Sequence, residues 1–138
     1  MKVWLATIIL VLLTGCVNAE TKSATINIDK CELLQLTINS LKLQSYFHIK
    51  NKPERKPLKL LFLDEKLMCQ SLKKFDENVI FIKKENNNIP YIKIHKINFN
   101  NDIATIEFEY KVEGIKGIAT FKREQKKWII VSEKIVEI

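Results

Sequence analysis

Few side chains in this 138-residue chain have the types and spacing that chemistry requires. His95 falls in a stretch, Tyr91–Phe99, that alternates like a strand, on the face that also holds Tyr91, Ile97 and Phe99. An imidazole there is either a general base in a pocket or a packed rim residue. Asp64 follows a short apolar run and precedes Glu65, so it reads as half of an acid/base pair or as the N-terminal charge of a helix. His48 has no carboxylate near it in sequence. No Cys-x-x-Cys or Cys/His spacing suits zinc, and no nucleophile or phosphate-loop motif is present. The expectation is a non-enzymatic chain with no catalytic residue, metal or cofactor.

The N-terminus is more informative. Lys2 precedes an apolar run, Val3–Leu13, followed by small residues. A basic start, a hydrophobic core and a small-residue cleavage zone form a secretory leader, and the run is about half the ~20 residues of a membrane-spanning helix. Leu13-Thr14-Gly15-Cys16 resembles the lipobox of bacterial lipoprotein precursors. That resemblance implies cleavage before Cys16, acylation of Cys16, and anchoring in the cell envelope by more than one acyl chain, which holds a membrane stably. Val17 is not the aspartate that favours inner-membrane retention in that family, so a Gram-negative host would place the protein on the outer membrane, facing the periplasm. The alternative is an ordinary leader cut after Ala19 in Val17-Asn18-Ala19, which frees the domain. The expected organisation is a signal peptide over 1–15, a tether over 16–25 and one α+β domain over 26–138.

There are three cysteines. An odd cysteine in an exported protein needs a reason, and acylation of Cys16 implied by the lipobox supplies one. Cys31 and Cys69 are then left as one pair in an oxidising compartment. Their bridge would close a loop of about 38 residues and stabilise the fold by roughly 3–4 kcal/mol. The other reading is two buried free thiols.

The precursor carries a formal charge of +7. Its densest basic patch, Lys50, Lys52, Arg55, Lys56 and Lys59, lies around Pro53 and Pro57. Such a patch meets anionic headgroups, nucleic acid or an acidic protein, or is simply a basic surface loop. No aromatic residues interleave it as stacking platforms, and export argues against nucleic acid. Lys50, Lys52, Arg55 and Lys56 are therefore the candidate partner-binding residues.

Elements must position these groups. Asp29 with Glu32 has the form of a capping box, so a helix is expected from Lys30 to Phe47, with Leu34, Ile38 and Leu41 on one stripe. Leu58–Leu63 reads as a buried strand, and Asp64–Phe75 as a second helix carrying Leu67, Met68, Leu72 and Phe75 inward. From Val79 the period becomes two: strands at Val79–Lys83, Tyr91–Phe99, Ala104–Val112, Ile118–Arg123 and Trp128–Ile135. Asn100-Asn101-Asp102 and Glu124–Lys127 make turns, and Gly114 and Gly117 flank a turn or bulge. Helices followed by antiparallel strands give an α+β fold: a long N-terminal helix on a curved antiparallel sheet of about five strands.

Asn101-Asp102-Ile103-Ala104-Thr105-Ile106-Glu107-Phe108, then Ala119–Arg123, then Lys127-Trp128-Ile129-Ile130-Val131-Ser132 is similar to the C-terminal hairpins of the cystatin-like / nuclear-transport-factor-2-like superfamily. The resemblance implies a cone-shaped sheet with Trp128 closing it. It implies little about activity, because that fold hosts enzymes, binders and scaffolds; the cystatin inhibitory motif is absent. Lipidated domains of this superfamily occur beside toxins, so toxin immunity is one version of the leading expectation, a lipoprotein that binds a protein partner. The alternative is a carrier of a small hydrophobic ligand inside the cone, with Tyr46, Phe47, Tyr91, Phe99, Phe108, Tyr110 and Trp128 as its candidate lining.

Overall fold

The computed structural model describes residues 19–138 apart from Glu65 and Met68, with side chains from Lys22 onward. The leader, Cys16 and the start of the tether lie outside the described residues, as does the inward placement expected of Met68.

Helix α1 (Ala19–Ile38) runs for 20 residues, about 30 Å at 1.5 Å per residue. It extends back through residues 19–25, the stretch read as a tether. Residues 22–26 are all exposed. The packed stripe then appears: Leu33, Leu34, Thr37 and Ile38 are fully buried, at the spacing of one helical face. The helix ends at Ile38, not Phe47. Ser40 takes extended backbone, and its hydroxyl accepts from the Leu43 amide to cap the short α2 (Leu41–Gln44). A polar pair, Asn39-Ser40, favours a new cap over continuation of the helix. Leu41, expected on the buried stripe, is consequently 88% exposed.

Asp29 and Glu32 do not cap α1; they fasten its middle to the last hairpin. The Asp29 carboxylate accepts from the Arg123 guanidinium and, at 3.2 Å, from Trp128 Nε1. Glu32 Oε1 accepts from the Trp128 amide at 3.2 Å.

Strand β1 (Lys59–Leu61) is the expected buried strand, with Leu60 and Leu61 sealed. The second helix does not form. Cys69 is bonded to Cys31, with Cα atoms 5.6 Å apart. Gln35 holds Lys73 as a strand neighbour would: its amide donates to Lys73 O at 2.9 Å and its carbonyl accepts from Lys73 N at 3.0 Å. The chain then makes a small hairpin, β2 (Lys73–Lys74) and β3 (Glu77–Asn78). Phe75 and Asp76 at its tip have φ of 57° and 62°, the mirror-image turn of tight hairpins. Leu72 is buried and Leu67 and Phe75 half-buried, so the apolar residues reach the core from irregular chain. Their spacing imitated a helix, but the cross-link and the Gln35 bonds hold the backbone extended.

The remaining strands are β4 (Ile80–Ile82), β5 (Ile92–Asn100), β6 (Ile103–Tyr110), β7 (Ile115–Glu124) and β8 (Lys127–Glu137). The sheet order is β4-β1-β5-β6-β7-β8. Strands β5 to β8 form the expected antiparallel meander. β1, however, pairs in parallel with both β4 and β5. The architecture is therefore an N-terminal helix on a mixed six-strand sheet that is neither closed nor curled, instead of a curved antiparallel sheet of about five strands. Parallel neighbours need a crossover, and the disulfide-linked segment between β1 and β4 is that crossover.

Ala104, Ile106, Phe108 and Tyr110 are buried on β6, as their alternation requires. Val112 is beyond the strand end, in a 3-10 turn (Lys111–Glu113), and is half-exposed. Gly114 closes that turn in the left-handed region with φ 63°. Gly117 pairs with Phe108, whose ring covers it; a Cβ there would lie 2.2 Å from the ring Cζ. Gln125 and Lys126, both with positive φ, make the β7–β8 turn. β8 is an edge strand of 11 residues. A bulge at Val131 interrupts it, and Lys42 Nζ donates to its Glu133 carbonyl at 2.5 Å.

Gly117→Ala is expected to displace the Phe108 ring and cost about 1–3 kcal/mol, read as a lower urea midpoint with unchanged far-UV circular dichroism.

Candidate functional site

Because α1 and α2 lie on one side, the outward residues of β5–β8 meet solvent. Their exposed apolar members are Ile103 on β6, Ile118 on β7, and Ile129, Val131 and Val136 on β8. Thr105, Glu107, Lys116, Lys122 and Lys134 interleave them, following the cross-strand register. A shallow cavity of about 260 Å³ opens on this face, lined by His95, Glu107, Lys116, Ile118, Lys134 and Val136.

His95 belongs to this open face, not to the one holding Ile97 and Phe99. The β5–β6 register slips between Ile94 and Lys96, so His95 is the extra residue of a bulge. The bulge inverts the parity after it: Ile94 pairs with Phe108 and Ile97 with Ile106 on the core side, while His95 turns outward. Its Nε2 lies 3.0 Å from Glu109 Oε2, and the Glu109 side chain is only 11% exposed. A carboxylate so placed orients the ring.

Asp64 follows β1 and is taken by Lys30, whose Nζ donates to it at 2.5 Å. That hydrogen bond holds the Asp64 carboxyl below the usual carboxylate range, against the smaller opposing effect of burial. His95 and Asp64 thus have separate partners, Glu109 and Lys30. No group of three His, Cys, Asp or Glu side chains converges as a metal site among the described residues.

The basic patch divides. Lys50, Lys52 and Lys56 are exposed, and the Lys56–Pro57 peptide is cis. Lys59 is half-buried and its Nζ donates to Pro57 O at 3.3 Å. Arg55, expected among the binding residues, is 5% exposed and serves the fold instead. Its guanidinium pairs with Glu113 at 2.5 Å, donates to the Tyr46 and Phe47 carbonyls at 3.1 Å, and sits 5.8 Å above the Tyr110 ring. His48 also finds its carboxylate in Glu113, at 3.3 Å. The planar fork of arginine satisfies two carbonyls and a carboxylate at once, which a lysine there would not. Burial beside this pair pushes the Tyr110 hydroxyl up to about 12.

Sequence reasoning missed the partner acids Glu109 and Glu113, and it missed Lys74. Lys74 is buried against the Phe47 and Phe75 rings, 5.2 and 5.4 Å from their centroids, and Asn39 Oδ1 accepts from it at 3.5 Å. Burial pushes its amine down from the ordinary lysine value. Cation–π attraction offsets part of that desolvation. The one available signal was for Glu109, which alternates outward beside Glu107 in β6.

Of the expected cavity aromatics, Phe47, Phe108, Tyr110 and Trp128 are buried in the core, Tyr46 packs half-buried against it, Tyr91 is buried outside that cluster and Phe99 is 36% exposed. Phe47 packs edge-on against Phe75 and Tyr110 at 5.3 and 5.8 Å between centroids, and Trp128 meets Phe99 at 5.9 Å. Phe108, Phe121 and Trp128 fill the space beneath α1 with Leu33, Leu34 and Ile106.

Comparison with family models, with curated proteins and with solved structures finds no match to this chain.

Two outcomes are expected of the Arg55 cluster. Glu113→Gln leaves a buried guanidinium without its counter-charge and should cost about 3 kcal/mol in urea unfolding. Tyr110 holds its proton more tightly folded than unfolded, so its contribution is complete below pH 10 and is lost as pH rises toward about 12. Tyr110→Phe should remove that part of the alkaline decline, measured as urea midpoint against pH.

Proposed function

We propose that this chain is an exported envelope lipoprotein, acylated at Cys16, whose domain is a non-enzymatic module that binds a protein partner through the open face of its sheet. The observation that carries this reading is the uncovered outer face of the C-terminal strands, where Ile118 and Val136 stand exposed side by side, Ile103 and Ile129 flank Lys122 toward the β7–β8 turn, and Val131 lies between the two groups. Apolar side chains clustered on a sheet face and rimmed by charge are the usual composition of a protein-binding surface. The rim here is Glu107, Lys116, Lys122 and Lys134. Lys50, Lys52 and Lys56 form a second, cationic surface suited to acidic groups of the same partner.

Two features support binding over catalysis and carriage, and a third supports export. His95 is paired with Glu109, and Asp64 with Lys30. The helix–sheet interior is filled by side chains. The Cys31–Cys69 bond agrees with folding in an oxidising compartment. Among the described residues no helix is long and apolar enough to cross a membrane, so membrane attachment in this reading rests on Cys16. The domain reads as an opened variant of the cystatin-like / nuclear-transport-factor-2-like arrangement, in which the β5–β8 meander is kept and parallel β1 and β4 extend its edge. Protection against a secreted toxin is one function such a module serves.

Two measurements test this. Cys16→Ser should abolish palmitate labelling and release the domain from membranes; a variant that stays membrane-bound, with no label on the wild type, overturns the anchoring. A crosslinked partner from envelope extracts should be lost on Ile118→Asp and Val131→Asp with little change in unfolding midpoint. A partner retained by both variants overturns the assignment of the open face.

A further inference from the structure

In the anchored form, the number of residues between the lipid and the fold decides how the domain sits. Cys16 and Ala19 are three positions apart in sequence, and α1 begins at Ala19. Extended chain spans at most ~3.6 Å per residue, so the start of the helix lies within roughly 10 Å of the acylated residue. A helix cannot fold back on itself as a loose tether does. The end of the domain from which α1 emerges is therefore held beside the bilayer.

That end has a defined composition. Asn27 Nδ2 donates to Lys66 O at 3.2 Å and Lys30 pairs with Asp64, which brings the segment after β1 alongside the first turns of α1. A crevice of about 310 Å³ between them is lined by Lys22, Ser23, Ile26, Asn27 and Lys66. Next to it Leu63 is 71% exposed, and Ile26 is 39% exposed. The β7–β8 turn reaches the same end, since Arg123 and Trp128 bond to Asp29, and it carries the exposed Lys126 and Lys127. Acidic Asp102 and Glu124 share the surface, Glu124 in a pair with Lys122. Toward the other end of α1, past α2, stand the Arg55–Glu113 cluster and the exposed Lys50 and Lys52.

We infer that the anchored domain stands end-on, with Leu63 and Ile26 seated at the headgroup–acyl boundary of an anionic bilayer and Lys22 and Lys66 among its phosphates. Apolar side chains flanked by lysines match that boundary: the aliphatic groups leave water, and the ammonium groups stay at headgroup depth. The contact adds to the anchor through the negative surface potential. Its consequence is polarity. Lys50, Lys52 and Lys56 point away from the membrane, so a partner meets them from the aqueous side. This inference rests on the acylation of Cys16 proposed above.

The test uses the full acylated protein in vesicles of phosphatidylethanolamine and phosphatidylglycerol, treated with a water-soluble amine-acylating reagent and read by peptide mass spectrometry. The same spectra report acyl-Cys16. The reference is the Cys16→Ser protein free in solution. Lys22 and Lys66 should label about fivefold more slowly on vesicles than in solution, with Lys50 and Lys52 unchanged. Leu63→Asp should keep acyl-Cys16 and return Lys66 to its solution rate. Acyl-Cys16 with Lys22 and Lys66 labelling at the solution rate overturns the end-on contact and leaves the anchor intact. Equal protection of all four lysines also overturns it, because the domain then lies flat. Absence of acyl-Cys16 removes the anchor, and the contact with it.

Discussion

One long helix has to bury one face of a six-stranded sheet, and a helix about 10 Å wide covers only a few strands. Everything unusual in this domain answers that shortfall. α1 is fastened over β7 and β8 by Asp29 and Glu32, which take Arg123 and Trp128. The strands on the other side, β1 and β4, are covered by the segment between them, which Cys69 ties to Cys31. The end beyond α2 is closed by Arg55, a cation that satisfies two carbonyls and Glu113 from within. A disulfide and a buried ion pair stand where a larger domain would have a second helix. Small folds with limited cores rely on such supports.

The same shortage leaves the opposite face of the sheet bare. β8 shows this in its composition: Trp128, Ile130 and Ile135 turn toward the helix, while Ile129 and Val136 turn away. A strand that only served the core would carry polar residues at the second set of positions. The apolar residues on the outer face are thus not required by the fold, which makes them the best candidates for contact with another molecule. His95, placed outward by its bulge and held by Glu109, belongs to the same surface.

Much of this was legible in the sequence, and the failures have local causes. The meander followed from alternation because two of its three loops are two-residue turns, Asn101-Asp102 and Gln125-Lys126, that preserve register. The Cys31–Cys69 pairing followed from parity and compartment. The helix between Asp64 and Phe75 failed because Leu67, Leu72 and Phe75 satisfy helical spacing while the backbone is held by Cys31 and Gln35, far away in sequence. The face of His95 was misassigned because a bulge leaves no mark in a hydrophobic pattern. Arg55 was misread as surface because its partner, Glu113, lies at the end of β6 and reaches it only in three dimensions. The parallel pairing of β1 was hidden because a strand of three residues carries no directional signal.

The long edge of β8 has a consequence at the population level. An exposed strand of 11 residues is a template on which a second copy can add. The bulge at Val131 breaks the straight run of free backbone groups, and Lys42 occupies the Glu133 carbonyl from the side of α2. Glu133 itself is held by Ser40. Short helix α2 is therefore more than a connection. By occupying part of the edge, it shortens the stretch of β8 open to strand addition while the apolar outer face stays uncovered.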